Sequence, residues 1–253
     1  MTPSVRRWLC LAAIAGFAGF YLWGLQGLPG FGRYPGPYGN IIASHAVEQA
    51  HATGVVSAVN FDYRGFDTLG EEFILFIAAT GVATVLRRLR GERRGVPVDQ
   101  VGGREQTGTS DAVRVMAVLL VGPMVLYGWY LTSHAQTSPA GGFQGGVVLA
   151  SAVVLVYLAG QFQAFRRITP VGLLETAEAV GAGSFVAVGL SALAYGLAYL
   201  TNILPLGHQP GAVDSSGTIA LISFFVGVEV SAAFAMMVAE LLEQALVIRE
   251  TGT

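Results

Sequence analysis

Glu229 lies in SFFVGVEVSAAFAMMVAELL (223–242), a mostly apolar run that holds no basic residue. If this run crosses a bilayer, the carboxyl group falls near the midplane, where an ionisable side chain is unfavourable by about 3 kcal/mol on insertion scales. Such a group either belongs to an ion or proton route or is a neutral acid hydrogen-bonded to a neighbouring helix as packing glue. Gly227, Ser231 and Ala235 form a small-residue ladder on the same helix, which admits a second backbone closely and predicts burial within an assembly.

A second group is FDYRGFDTLGEE (61–72), where Arg64, Asp67, Glu71 and Glu72 gather at the start of another apolar run. It could collect protons or cations. Thr68-x-x-Glu71 also has capping-box spacing, and acids are favoured at a helix N-terminus by the dipole, so a local structural role is equally open. Glu175 and Glu178 are one turn apart after Thr169-Pro170, an N-cap and first-turn proline. They make either the mouth of a half-channel or a solvated interfacial face. His134 lies in SHAQTSPAGGFQGG (133–146), and His45, His51 and His208 fall on the same expected side, where an imidazole could feed protons inward or simply be solvated.

Other chemistries are not expected. His45 and His51 are six apart rather than four, and Cys10 is the only cysteine, so no zinc set and no intrachain disulfide is predicted. GGFQGG is followed by no Lys-Ser/Thr and is no phosphate loop; its paired glycines suit unusual backbone angles or a very close helix contact. No nucleophile–base set is in view, so the chain is expected to be neither an enzyme by itself nor a cofactor binder.

The elements that must hold these groups are membrane spans. The chain is 53% hydrophobic and 12% charged, about half the charge usual in a soluble domain. Its apolar residues come in blocks of about 20. Six spans are predicted, over 8–25, 69–86, 113–131, 147–164, 180–200 and 218–239. All 14 basic residues are arginine; the absence of lysine excludes a lysine-based pump core in this chain. Twelve arginines fall on one side of this scheme and only Arg33 and Arg64 on the other, so both termini are expected to be cytoplasmic in a multi-pass protein of the cell inner membrane. The first span has the opening regions of a signal peptide. Tyr21 and Trp23, placed as an interfacial belt, and the lack of an A-x-A-like site favour a retained helix. The glycine- and proline-rich stretch 24–39 is not helical, 41–59 reads as a short surface helix, and the polar stretch 91–110 reads as an arginine-rich cytoplasmic linker. The fold class is therefore an all-α integral membrane protein, with a two-helix module (1–90), a linker (91–110) and a four-helix module (111–253). No basic surface suits nucleic acid.

SPAGGFQGGVVLASAVVLVYLA (138–159), TNILPLG (201–207) and VGVEV (226–230) resemble the B subunit of Mrp-type multisubunit Na+/H+ antiporters, a likeness covering roughly 110–245. VNFDYRGFDTLGEEFIL (59–75) resembles the two-helix segment that ends the A subunit of those antiporters and forms a separate E-type subunit in membrane-bound hydrogenases. In that family the acidic residue after FDT is implicated in ion transport, and it corresponds to Glu71. The resemblance implies a membrane subunit of a cation (Na+)/proton antiporter that works beside other membrane subunits, with Na+ and H+ as transported ions. The joining of two modules departs from the commonest arrangement and leaves open a hydrogenase-like or other redox-driven host. A purely structural adaptor remains a further alternative.

Overall fold

The computed structural model describes residues 3–28, 30–33, 36–86, 95–98, 109–245 and 247–250. Six helices among them are long and apolar enough to cross a bilayer: α1 (Pro3–Leu25), α4 (Gly65–Leu86), α5 (Asp111–Ser133), α6 (Gly142–Ile168), α7 (Val171–Ala194) and α8 (Thr218–Ala245). α2 (Tyr38–Ala50), α3 (Val55–Ala58) and one π-helical turn (Val59–Tyr63) lie between α1 and α4. The helical membrane fold expected from composition is the one found.

Two compact units are present, Met1–Ile41 and Ile42–Thr253. In the first, α1 carries large apolar side chains such as Trp8, Phe17 and Trp23, all exposed, as a helix solvated by lipid requires. A turn through Gly32, in the left-handed region at φ 76°, follows it.

The second unit is built around α8, whose hydrophobic window is 61% buried against at most 33% for any other span. Ile219, Ile222, Val226 and Val230 on α8 form one core with Phe185 of α7, Phe61 of the π turn and the fully buried Ala46 and Ala50 of α2. The paired glycines at the start of α6 serve close helix contact. A Cβ on Gly146 would lie 2.7 Å from Val230 Cβ, so α6 could not approach α8 with any other residue there.

The segment 41–59 differs from its expected surface helix. α2 ends at Ala50, His51 takes φ 50°, and its ring donates from Nδ1 to the Leu206 carbonyl at 3.1 Å. The chain then turns inward, and the core claims what the sequence suggested was surface. α7 starts at Val171, nine residues ahead of the apolar span, so Glu175 and Glu178 lie inside one long helix as the Thr169-Pro170 start signal suggested, with Pro170 rather than Thr169 as its N-cap. Thr169 closes α6 instead, its hydroxyl donating to the Phe165 carbonyl at 2.9 Å. α6 is itself broken at Gln161 (φ 62°, ψ −171°), a conformation strained for any side chain.

Loops gather at one end of the unit. The Gly54 amide donates to the Gln136 carbonyl (2.9 Å), Gln136 Nε2 to the Val213 carbonyl (2.6 Å) and Ser216 Oγ to the His51 carbonyl (3.0 Å). Asn202 of TNILPLG clamps the start of α8, donating to the Ser216 carbonyl and accepting from the Thr218 amide, each at 2.9 Å. At the other end Gln244 Nε2 donates to the Leu86 carbonyl at 2.7 Å. There β1 (Gly95–Val98) pairs antiparallel with β2 (Val247–Glu250), Gly95 opposite Glu250 and Val98 opposite Val247. This strand pair is an addition to the all-α expectation, outside the spans, and it holds part of the expected linker to the segment after α8. The arginine-bearing stretches 87–94 and 99–108 lie outside the described residues.

Candidate functional site

Four acidic residues are buried among the described residues of this unit, and three of them stand on three different helices. Glu229 of α8 is 0% exposed, Glu178 of α7 2% and Glu72 of α4 4%. Both oxygens of Glu229, Oε1 of Glu178 and Oε2 of Glu72 meet no hydrogen-bond partner among the described residues. Among the described residues, the ionisable groups in electrostatic reach of Glu229 are Glu72 and Glu178.

Helix register explains the burial. Glu72, Ala79 and Ala83 share one face of α4, seven and then four residues apart, and that face packs on α8 against Ala233 and Met236. Glu178 and Gly181 are one turn apart on the buried face of α7. A Cβ on Gly181 would stand 2.6 Å from Glu229 Cβ, so the absence of a side chain there lets α7 lie directly on α8 at Glu229.

The three groups sit at graded depths. At 1.5 Å per residue, Glu72 is about 10 Å in from the loop end of α4 and Glu229 about 16 Å in from the loop end of α8. Glu178 is about 10 Å in from the opposite end on α7. Together they step through the unit.

Glu72 also lines a polar cavity of about 220 Å³ beside the loop end, with Ser57, Asn60, Thr68, Glu71 and Gln144 among its walls. Just before α4, Asp62 of the π turn is half-buried, and burial pushes its carboxyl above the ordinary value of 3.8.

The other expected residues divide. Glu71 is exposed and reaches the site only as part of that cavity wall; the buried acid of the pair is its neighbour Glu72. The one sequence signal that could have singled out Glu72 over Glu71 is its spacing to Ala79 and Ala83, and that spacing marks the packed face only once α8 is seen to cover it. Thr68 lies inside α4 rather than at its cap, because the helix starts at Gly65, so the capping-box reading fails. Arg64 and Asp67 form an exposed ion pair with each other, Nε donating to Oδ2 at 2.6 Å, in the first turn of α4. Such a pair contributes under about 1 kcal/mol. Glu175 is partly buried and lies in electrostatic reach of Glu178. His134 ends α5: its ring stacks on Tyr130 with centroids 4.2 Å apart, and Nδ1 lies 2.9 Å from Ser133 Oγ. Glu240, which sequence reading passed over, is also buried, three turns beyond Glu229 on α8.

Known proteins resemble the chain in two stretches. Residues 112–236 match a family model described as a domain related to the MnhB subunit of Na+/H+ antiporter, and residues 36–101 match one described as the E subunit of MBH. A probable K(+)/H(+) antiporter A/B subunit from Rhizobium meliloti (strain 1021) is 30% identical over 59% of the chain and 18% of its own length. The chain thus spans about a fifth of that relative. The B subunit of the Na(+)/H(+) antiporter of Bacillus subtilis (strain 168) is 33% identical over 37% of the chain and 66% of its own length. Among solved structures, a chain of the membrane-bound sulfane sulfur reductase (MBS), an archaeal respiratory membrane complex, superposes with a TM-score of 0.71 at 30% identity, covering 94% of this chain and 98% of that one.

Proposed function

The chain belongs to the family of MnhB-related membrane subunits, with a module like the E subunit of MBH ahead of the MnhB part, and from this we propose that it is one subunit of a multisubunit monovalent cation/proton antiporter. In this reading Glu229, flanked by Glu72 and Glu178, forms part of an ion or proton path. The observation that carries it is Glu229 itself, fully enclosed, with no donor for either oxygen among the described residues and with two further buried carboxyl groups as its ionisable neighbours.

A buried carboxyl group can exchange a proton, and once ionised it can coordinate a partly dehydrated cation. Packing glue would need a hydrogen-bond partner, which Glu229 lacks among the described residues of this chain. No lysine is present, so any lysine-based drive must come from other membrane subunits of the complex, embedded with this chain in the lipid bilayer. The separate family matches, over 36–101 and 112–236, favour two sequence modules joined between 101 and 112. Arg114, Arg166 and Arg167 lie at the strand end and Arg64 at the loop end, which favours a cytoplasmic strand end in the plasma membrane.

A second reading, a membrane component of a respiratory redox complex, is favoured by the likeness to the MBS chain over nearly its whole length. The same carboxyl path would then carry ions driven by electron transfer elsewhere.

Cation/proton exchange in vesicles carrying the assembled complex tests the path. Glu229→Gln is expected to reduce exchange at least tenfold with normal complex yield. Wild-type exchange in Glu229→Gln, Glu72→Gln and Glu178→Gln alike would end the proposal. Iron–sulfur or hydrogenase-type subunits co-purifying with the chain would select the redox reading.

A further inference from the structure

α5 and α8 meet at the loop end and part towards the strand end. Ser223 Oγ donates to the Thr132 carbonyl at 3.1 Å, and Trp129 stacks on Phe224 with ring centroids 5.7 Å apart. Further in, the two helices stand apart over α6 and leave a cleft of about 410 Å³. Leu120 and Met124 of α5 form one wall, Phe234 and Val238 of α8 the other, and the small residues Ala150 and Ser151 of α6 keep the floor low. The Ser151 hydroxyl is engaged within its own helix, donating to the Val147 carbonyl at 2.8 Å, so the cleft presents an apolar surface.

The strand end of the cleft is basic. Arg166 faces Glu243 across 3.9 Å, and Glu243 lies five residues beyond Val238 on α8, about 7.5 Å farther towards the strand end. Beside it Phe162, Gln163, Arg166 and Arg167 surround a second hollow of about 230 Å³, with no carboxylate among the described residues that line it. Arg114 of α5 comes to about the same level. α5 and α6 run antiparallel with Gly128 against Leu149, and Arg114 stands as far before the one as Gln163 after the other. Its Nε is enclosed and meets no hydrogen-bond acceptor among the described residues.

Size selects the occupant. At about 30 Å³ for a group the size of water or a methylene, the cleft holds on the order of a dozen chain carbons. It is too slight to seat a whole helix, about 10 Å across with its side chains. From Glu243 back to Val230, which packs on Gly146 just before the cleft floor, is thirteen residues, or about 20 Å. One leaflet contributes about 15 Å of hydrocarbon. A phosphate held at the arginines therefore lays its acyl chain along the cleft.

We infer that the cleft holds one acyl chain of an anionic phospholipid from the strand-end leaflet, with the lipid phosphate on Arg166 and Arg167 and a further contact from Arg114. Guanidinium groups pair bidentately with phosphate oxygens, and an anionic headgroup, unlike a zwitterionic one, brings no ammonium for them to repel. The lipid fills the space that the diverging helices leave and so stabilises the unit wherever it binds the folded form. The inference needs only that these helices span a bilayer, and it stands apart from the carboxyl path.

Native mass spectrometry and melting temperature of the delipidated complex in detergent test this, with dioleoyl phosphatidylglycerol and dioleoyl phosphatidylcholine titrated separately and in competition. The expected result is one tightly held phosphatidylglycerol that phosphatidylcholine displaces only in several-fold excess, with the melting temperature raised more by the anionic lipid. Arg166→Gln combined with Arg167→Gln should abolish the preference. Ser151→Phe, which fills the floor, should retain one lipid fewer of either kind. Leu193→Phe, on an exposed part of α7, should bind as wild type. Equal retention of the two lipids by the wild type would overturn the site, as would an unchanged preference in the double arginine variant. Should that variant not assemble, an unchanged preference in Gln163→Glu, which sets an exposed negative charge beside both arginines, would do the same. In a Cys10→Ala background, cross-linking of Ser151→Cys to a neighbouring subunit would give the cleft to a protein partner and overturn the lipid.

Discussion

Gly181 and Glu229 show how a missing side chain can position a charged one. Gly181→Ala would put a methyl group 2.6 Å from Glu229 Cβ and 2.8 Å from Glu229 N, so α7 must move off α8. Overpacking of this kind costs about 1–3 kcal/mol. We expect a lower melting temperature of the complex and reduced exchange in Gly181→Ala, and neither in Gly183→Ala two residues on, where nothing lies within 4 Å. Asp62 gives a test with a definite sign. Its native carboxyl titrates above the ordinary value because burial disfavours the charge, so between those two values the folded state binds more protons than the unfolded one. Stability from this group is therefore fully present below about pH 4 and is lost as pH rises through the native value. Asp62→Asn should melt higher than wild type near neutral pH, and the gap should close on acidification; a gap independent of pH would refute the assignment.

At the level of elements, two unusual backbone features carry opposite expectations. Gln161 interrupts α6 at φ 62° and ψ −171°, a region close to glycine-only, and its side chain is exposed. Gln161→Gly should therefore stabilise the unit by roughly 1 kcal/mol, read as a rise in melting temperature. Asn202 works the other way, tying the loop before α8 to that helix's first amide. Asn202→Ala removes both bonds and should cost about 1–2 kcal/mol, with faster hydrogen exchange confined to the start of α8. The apolar runs identify the spans, but their ends depend on such contacts. α7 begins at Val171 because α6 finishes at Thr169 and Pro170 turns the chain, and a hydropathy window averages over that corner.

For the whole molecule, the alternation of helix ends predicts that the 200–217 loop and the start of α5 face opposite sides of the bilayer. In a Cys10→Ala background, Gln209→Cys should react with an impermeant thiol reagent from outside the cell and Ser110→Cys only after permeabilisation. Labelling of both from the same side would refute the topology. Composition, span count and the arginine asymmetry were sufficient for the membrane class, because lipid selects on length and apolarity, which a sequence displays directly. GGFQGG and VGVEV likewise announced a close helix contact and a buried acid before any fold was known.

Which acids meet was not legible. Glu71 and Glu72 are equivalent by composition and adjacent in sequence, yet a rotation of about 100° around the helix axis separates an exposed carboxyl from a buried one. The rotation of α4 about its axis is set by packing of Ala79 and Ala83 on α8, a contact between segments far apart in the chain. Span identity is a local property of solvent and chain. The company a buried charge keeps is decided only when distant helices choose their faces, and that choice belongs to the tertiary structure.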